Sequence, residues 1–281
     1  MSPRRAATPT AKEVGPLAAT PFAAADRVVV LEPATGDRWL LIAGTGVLKE
    51  KGLGVVDTDK LVGQAPGEAV TYGAKDVRLL RPALPDLVAT LRRKAQIITP
   101  KDASRIVYEL GVGAGDRVLE SGIGSGAATM ALAWAVGPPD GGGRVVVQEL
   151  RQDFADWAMD NLARAGLADR VDVHIGDLTQ GAAAGVADGA PFAAVLLDQP
   201  EPWSALPHVT ALLAPGARVA CYTPQVSQME KAHAAMRSAG FADMRAMELM
   251  ERTWEIKEFG SRPSFDGLGH TAFLVFGRHV G

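Results

Sequence analysis

One stretch constrains this chain more than any other. It runs from Asp116 to Ala131 and reads Asp-Arg-Val-Leu-Glu-Ser-Gly-Ile-Gly-Ser-Gly-Ala-Ala-Thr-Met-Ala. Val118 and Leu119 mark the end of a buried strand. Gly122, Gly124 and Gly126 form a tight turn whose backbone can approach a ligand closely. From Ala127 to Val136, good helix formers and apolar residues at helical spacing predict a helix. Three glycines alone also fit a plain turn. Strand, turn and helix in this order make a cradle for a nucleotide-like cofactor.

The cradle does not suit a dinucleotide. That fingerprint is Gly-x-Gly-x-x-Gly after a strand. Here the spacing is Gly-x-Gly-x-Gly, and Glu120 stands at the strand end. A carboxylate there repels a pyrophosphate but suits a cation. S-adenosyl-L-methionine carries an ammonium and a sulfonium and no phosphate, so it is the expected cofactor.

With 281 residues the chain has room for one large core and a small extra domain. Its net charge of −3 means that a contact to nucleic acid must come from a local basic patch. The one cysteine, Cys221, excludes a disulfide framework and a thiolate metal cluster. The five histidines form no metal-spaced set, so no metal is expected. Neither a signal peptide nor a membrane-spanning apolar run is evident, and the cytoplasm is the expected location.

Residues 1–18 are small, polar and Pro-rich and read as a disordered tail. Residues 19–83 read as a small β domain. Asp26-Arg-Val-Val-Val-Leu, Asp37-Arg-Trp-Leu-Leu-Ile, Gly52-Leu-Gly-Val-Val and Ala69-Val-Thr-Tyr are short strand-like runs between glycine turns. They predict a small barrel or curled sheet without helix. Residues 84–115 read as connecting helices. Leu87, Val88 and Leu91 share a helical face, and Arg92, Arg93 and Lys94 would sit at that helix's C-terminus. Thr99 and Pro100 read as the cap and first position of the next helix.

Residues 116–281 alternate strands and helices. The expected strands are Arg117–Glu120, Arg144–Glu149, Val171–Ile175, Phe192–Leu197 and Ala217–Thr223. The expected helices include Gln152–Ala165 and Gln225–Ser238. This pattern predicts an α/β fold with a mostly parallel, Rossmann-like sheet. Residues 243–257 and 270–278 read as a closing antiparallel pair.

Acids recur where these strands end: Glu120, Glu149, Asp177 and Asp198. Ligands in such sheets bind beyond the carboxyl ends of the strands, so the four acids mark a site. Glu149 has the spacing of an acid that takes ribose hydroxyls. Asp177 can accept from an adenine amino group, and Glu120 can face the cofactor's ammonium through water. Asp198-Gln-Pro-Glu-Pro-Trp follows a strand, and its two prolines stiffen the loop that holds Asp198 and Trp203. No Ser/His/acid order supports acyl transfer.

With these residues in view, the chain resembles the bacterial and archaeal tRNA (adenine-58-N1)-methyltransferases, a class I methyltransferase family. The resemblance spans roughly Phe22 to Arg278. It rests on Arg93-Lys-Ala-Gln-Ile-Ile-Thr-Pro-Lys-Asp, the glycine turn with Glu120, Asp198–Trp203, and Arg262-Pro263 with Gly269-His270-Thr271. It implies a small N-terminal β domain, a homotetramer, and methylation of N1 of a T-loop adenosine in tRNA. It implies cofactor contacts at Gly122, Gly124, Gly126 and Glu149, to which Glu120 and Ser125 in the same stretch are added. Asp177 matches the adenine contact, and Asp198 the acid beside the target base. Gln96, Trp203 and His270 are candidate substrate-side residues. Two positions depart from the family: Ser121 replaces the usual Ala, and Gln199 replaces the usual apolar residue. Asp266 also lies where a methionine is commonly nearby. The rival readings are a methyltransferase for protein or small molecules, a non-catalytic RNA-binding module, and a nicotinamide enzyme. Glu120 and the glycine spacing disfavour the last.

Overall fold

The structure is a computed structural model that describes residues 20–281. The tail expected at 1–18 lies outside the described residues. The chain divides into two compact units between Pro82 and Ala83.

Among its described residues, the first unit is all-β apart from one short 3-10 turn at Thr58–Leu61. Strands β1 (Arg27–Leu31), β2 (Arg38–Ile42), β5 (Ala69–Tyr72) and β6 (Lys75–Leu80) form one antiparallel sheet in the order β2-β1-β6-β5. Strands β3 (Val47–Glu50) and β4 (Gly54–Asp57) form a separate hairpin. The four-stranded sheet is open, with β2 and β5 as edges, so of the two expected forms, barrel or curled sheet, no barrel closes among the described residues. Val28, Val30, Val77 and Leu79 alternate inward from β1 and β6, as period-two patterning requires. They pack with Phe22, Leu41 and Leu61 in one core. Sequence reading missed β3 and β6, whose charged residues mask the alternation.

The second unit opens with α1 (Leu84–Ala89) and α2 (Pro100–Leu110), both packed on α3 (Ala127–Ala135). Residues 84–115 are therefore part of this unit's body. Helix α1 stops at Ala89, so Arg92, Arg93 and Lys94 lie in the loop beyond it and cap no helix end. Thr99 is the N-cap of α2 by position, with Pro100 next. Its hydroxyl donates to Asp102 Oδ2 at 3.0 Å and not to the helix backbone.

The remaining elements build one seven-stranded sheet. Its members in chain order are β7 (Arg117–Ser121), β8 (Arg144–Glu149), β9 (Val171–Ile175), β10 (Phe192–Leu197), β11 (Leu213–Thr223), β12 (Ala242–Glu248) and, after a hairpin, β15 (Phe273–Arg278). The spatial order is β12-β15-β11-β10-β7-β8-β9. β9, β8, β7, β10 and β11 run parallel, and β15 lies antiparallel between β11 and β12. The helices between them are α4 (Gln152–Ala165), α5 (Ala184–Ala187), α6 (Pro202–Thr210) and α7 (Val226–Ser238).

These elements follow from local sequence. Helix α3 is apolar on every side and buried from Ala127 to Ala133, as a core helix must be. Helix α4 buries Phe154, Ala155, Ala158, Leu162 and Ala165 along one face. It ends at Gly166, whose φ of 75° is the left-handed cap that glycine adopts without strain. The expected strand at 243–257 is broken. Its first half is β12, which pairs with β15. Its second half, β13 (Trp254–Lys257), folds back on β14 (Gly260–Pro263) as a separate hairpin. Among the described residues, no helix is long and apolar enough to cross a membrane.

The chain moves outward from β7 in one direction through β8 and β9, then returns to β10 and β11 on the other side. The sheet order thus reverses between β7 and β10. Crevices beyond the strand ends at such a reversal are where α/β sheets bind ligands.

One buried charge cluster ties α2 to the sheet. Glu109 is buried and pairs with Arg105 on its own helix and with Arg245 on β12. Removing one partner of a buried pair is strongly unfavourable. Both arginines here reach solvent, which softens the loss. We expect Glu109→Ala to lower unfolding stability by about 1–3 kcal/mol, measured by urea titration.

Candidate active site

At the reversal point lies a cavity of about 570 Å³. Its walls include Gly122 and Gly124 from the glycine turn, Glu149 at the end of β8, Asp177 after β9 and Asp198 after β10. The parallel register explains the gathering. Leu197 pairs with Ser121, and Ser121 with Gln148, so three neighbouring strands end at one level.

Gly122 is where the site is tightest. Its φ is 86°, and a Cβ there would stand 1.9 Å from the carbonyl oxygen of Asp198. The backbone N–H of Asp198 donates to the Ser121 carbonyl at 2.8 Å. The acid's loop is therefore seated directly on the glycine turn. Gly126, with φ 90°, is the N-cap residue of α3.

Each acid has its own environment. Glu149 is buried, and its two oxygens accept the backbone N–H of Ile123 and of Arg151, both at 2.9 Å. These bonds hold the carboxylate against the turn and leave lone pairs for hydroxyl donors. Asp177 Oδ1 accepts from the Thr179 hydroxyl at 2.7 Å and its N–H at 2.9 Å. The Thr179 hydroxyl and then its backbone N–H hold this carboxyl below the ordinary range. Its second oxygen remains for a ligand donor.

Asp198 is pushed the other way. Burial, and then the charge of Glu149, raise it to about 7. Glu120 is buried beneath the turn, and its Oε2 has no hydrogen-bond partner among the described residues. Burial raises it to about 8; the Thr129 hydroxyl opposes the shift, while Asp198 and Glu149 add to it. Glu149, Asp177 and Asp198 line the cavity with Arg151 as the cation among its walls, and this excess of acids fits a cationic ligand. The backbone cradle at Gly122 and the orphaned Glu120 oxygen fit S-adenosylmethionine in particular. Among the described residues, no group of three or more His, Cys, Asp or Glu side chains is placed to hold a metal ion.

Comparison with known proteins agrees with this geometry. A family model described as the tRNA methyltransferase complex GCD14 subunit matches residues 77–262. The tRNA (adenine(58)-N(1))-methyltransferase TrmI of Thermus thermophilus is 32% identical over 248 residues, covering 88% of this chain and 94% of that protein. The chain belongs to the GCD14/TrmI family of tRNA methyltransferases. The Methanocaldococcus jannaschii relative, named as an adenine(57)/adenine(58)-N(1) enzyme, is 29% identical over 252 residues, covering 80% of this chain and 86% of that one. Among solved structures, a SAM-dependent O-methyltransferase from Thermotoga maritima matches with a TM-score of 0.78 and 30% identity, covering 93% of this chain and 95% of the other. The tRNA (m1A58) methyltransferase TrmI from Aquifex aeolicus matches with a TM-score of 0.71 and 26% identity, covering 93% and 100%. The Rossmann-like methyltransferase fold is thereby shared with both.

Within this family fold, other residues expected at the site fall in different places. Ser125 is buried, and its hydroxyl accepts the backbone N–H groups of Lys94 and Ala95 at 3.0 and 3.1 Å. It anchors the 92–95 loop and does not line the cavity. Gln96 is exposed in that same loop, next to cavity-lining Ala95. Trp203 is on α6 with the Lys231 ammonium 5.0 Å above its ring, away from the cavity wall. His270 Nδ1 donates to Glu248 at 2.6 Å, and Nε2 donates to the Pro224 carbonyl at 2.9 Å. Glu248 foremost, and the Pro224 carbonyl, raise its pKa. This ring joins the ends of β12 and β11 and does not line the cavity. Lys101 is buried against Asp102 and Thr271, each at 2.7 Å.

Sequence reading missed Arg151 and Phe154, which line the cavity. The Arg151 guanidinium lies 3.4 Å from the Phe154 ring centroid, and Lys94 approaches the same ring at 4.8 Å. Their one sequence signal is that they follow Glu149 at the start of α4.

Two measurements test this site. Gly122→Ala should weaken S-adenosylmethionine binding at least about tenfold by calorimetry, since the new carbon displaces the Asp198 backbone. The second concerns pH. The folded state keeps protons on Glu120 and Asp198 that the unfolded state has already released. Stability without ligand therefore falls as pH rises from about 4.5 to about 8, and levels off above that. Glu120→Gln should make this decline shallower in urea titrations across the same range.

Proposed function

We propose that this protein transfers the methyl group of S-adenosylmethionine to N1 of adenosine 58 in the T loop of tRNA. The carrying observation is the single cavity that gathers Gly122, Glu149, Asp177 and Asp198 at the sheet's reversal point. Family membership and the activities for which the TrmI relatives are named support the substrate.

The residues divide the work. Glu149 takes ribose hydroxyls, and Asp177 takes the cofactor's adenine amino group. Glu120 lies under the positive end of the ligand. When bound, the cofactor supplies an activated methyl group on a good leaving group. The protein's part is then mainly alignment. Asp198 accepts from N6 of the target adenine and turns N1 toward the methyl donor. N1-methylation makes the base cationic, and the Asp198 carboxylate stabilises that charge as it develops. The target base must leave its stack to enter the cavity.

The exposed face of the 92–94 loop and Gln96 lie beside the cavity mouth and are suited to RNA contact. His270 ties the ends of β12 and β11 together. In this reading the enzyme acts in the cytoplasm as a homotetramer. The hairpin β13–β14, with exposed Trp254, Ile256 and Phe259, is a surface suited to self-association.

Nucleoside mass analysis after incubating unmodified tRNA with enzyme and cofactor should give 1-methyladenosine. Methylation of a protein mixture and not of tRNA would favour the rival reading. Asp198→Asn should lower kcat by about 10²–10³ with cofactor affinity retained. For the wild type, kcat/KM should rise with pH through about 7, as Asp198 loses its proton in the free enzyme. That rise should be absent in Asp198→Asn.

A further inference from the structure

The two departures from the family pattern meet in space. The Ser121 hydroxyl donates to Oε1 of Gln199. Both residues line the cavity, on either side of the Gly122–Asp198 contact. Ser121 is buried at the end of β7, and Gln199 directly follows Asp198. We propose that Gln199, held by Ser121, is a specificity residue that donates a hydrogen bond to N7 of the target adenine. The inference rests on the function proposed above.

The orientation of the amide follows from its neighbours. Its nitrogen faces the Glu201 carbonyl at 3.4 Å. That carbonyl can only accept, so the amide oxygen must be the atom that Ser121 meets. A 3.4 Å contact is at the long limit of hydrogen bonding and engages one N–H. The other N–H remains a donor in the cavity wall. Gln228 fixes the same loop by donating to the Pro200 carbonyl at 3.1 Å.

The chemistry of the base selects its partner. N1 must be free to receive the methyl group, so the base cannot be read through N1. Asp198 accepts from N6. The next polar atom on that edge is N7, an acceptor. A carboxylate followed by an amide N–H offers one acceptor and one donor, which matches adenine's N6 donor and N7 acceptor. Guanine presents O6 and N7, both acceptors, and its O6 would meet the carboxylate. The pair therefore selects adenine over guanine from the edge that remains available.

The test uses two tRNAs made by ligation, one with adenosine and one with 7-deazaadenosine at the target position. The full-length enzyme is assayed with S-adenosylmethionine, and the readout is the ratio of kcat/KM on the two RNAs. Wild type should prefer adenosine about three- to tenfold, the size of one neutral hydrogen bond. Gln199→Leu should bring the ratio close to one, and Ser121→Ala should move it in the same direction. A folding defect in either variant scales both substrates equally and leaves the ratio intact. The same preference in Gln199→Leu as in wild type would assign it to a contact other than Gln199 and overturn the inference. Equal use of both RNAs by wild type would overturn it as well. In both of those outcomes, tRNA methylation itself still stands. No methylation of the adenosine tRNA by wild type would overturn the function and the inference together.

Discussion

The site depends on one backbone contact. The carbonyl of Asp198 occupies the space that any side chain at position 122 would need. Only glycine lets β7 and β10 end this close together while the chain turns at a φ of 86°. The bond from the Asp198 N–H to the Ser121 carbonyl locks the same approach from the other side. Through this contact the glycine turn and Asp198 form one block, to which the proposed function assigns the cofactor and the acceptor. Catalysis by alignment requires such a block, because small displacements of the two reactants are costly.

Electrostatics give the block its direction. Glu149 and Asp198 lie near enough to Glu120 to raise its proton affinity, as Glu149 does for Asp198. Burial and mutual repulsion push Glu120 and Asp198 toward their neutral forms. A protein that only needed stability would gain by replacing them with apolar groups. Their presence makes sense if a cation completes the site. The same logic separates this cradle from a phosphate-binding one, whose turn is open to anions.

The surrounding unit holds the acids by their backbone neighbours. Two N–H groups hold Glu149, and the Thr179 backbone and hydroxyl hold Asp177. Ser125 and Asn161 fasten the 92–95 loop, with Asn161 Nδ2 donating to the Arg92 carbonyl at 2.9 Å. Little of this can be read from sequence directly, since backbone partners have no residue signature. Yet such partners decide which acids become ligands and which become braces.

Local chemistry in the sequence was sufficient for the parallel core. The spans of β8, α4, β9 and β10 follow from apolar runs of strand length, helical spacing and glycine stops, all short-range effects. The glycine turn and the acids at strand ends are legible for the same reason, because strand and turn fix their position relative to the sheet. What tertiary structure decided involves partners far apart in the chain. The run at 243–257 divides because β15 is available to only half of it, and the other half pairs with β14. The basic residues at 92–94 leave their helix because Ser125 and Asn161 capture the loop. His270 and Lys101 turn inward to partners found on other elements. The meeting of Ser121 with Gln199, 78 positions apart, exists only because β7 and β10 are neighbours. Sequence determines which groups the chain carries and where each strand delivers them. Only the order of strands in the sheet determines which of those groups touch.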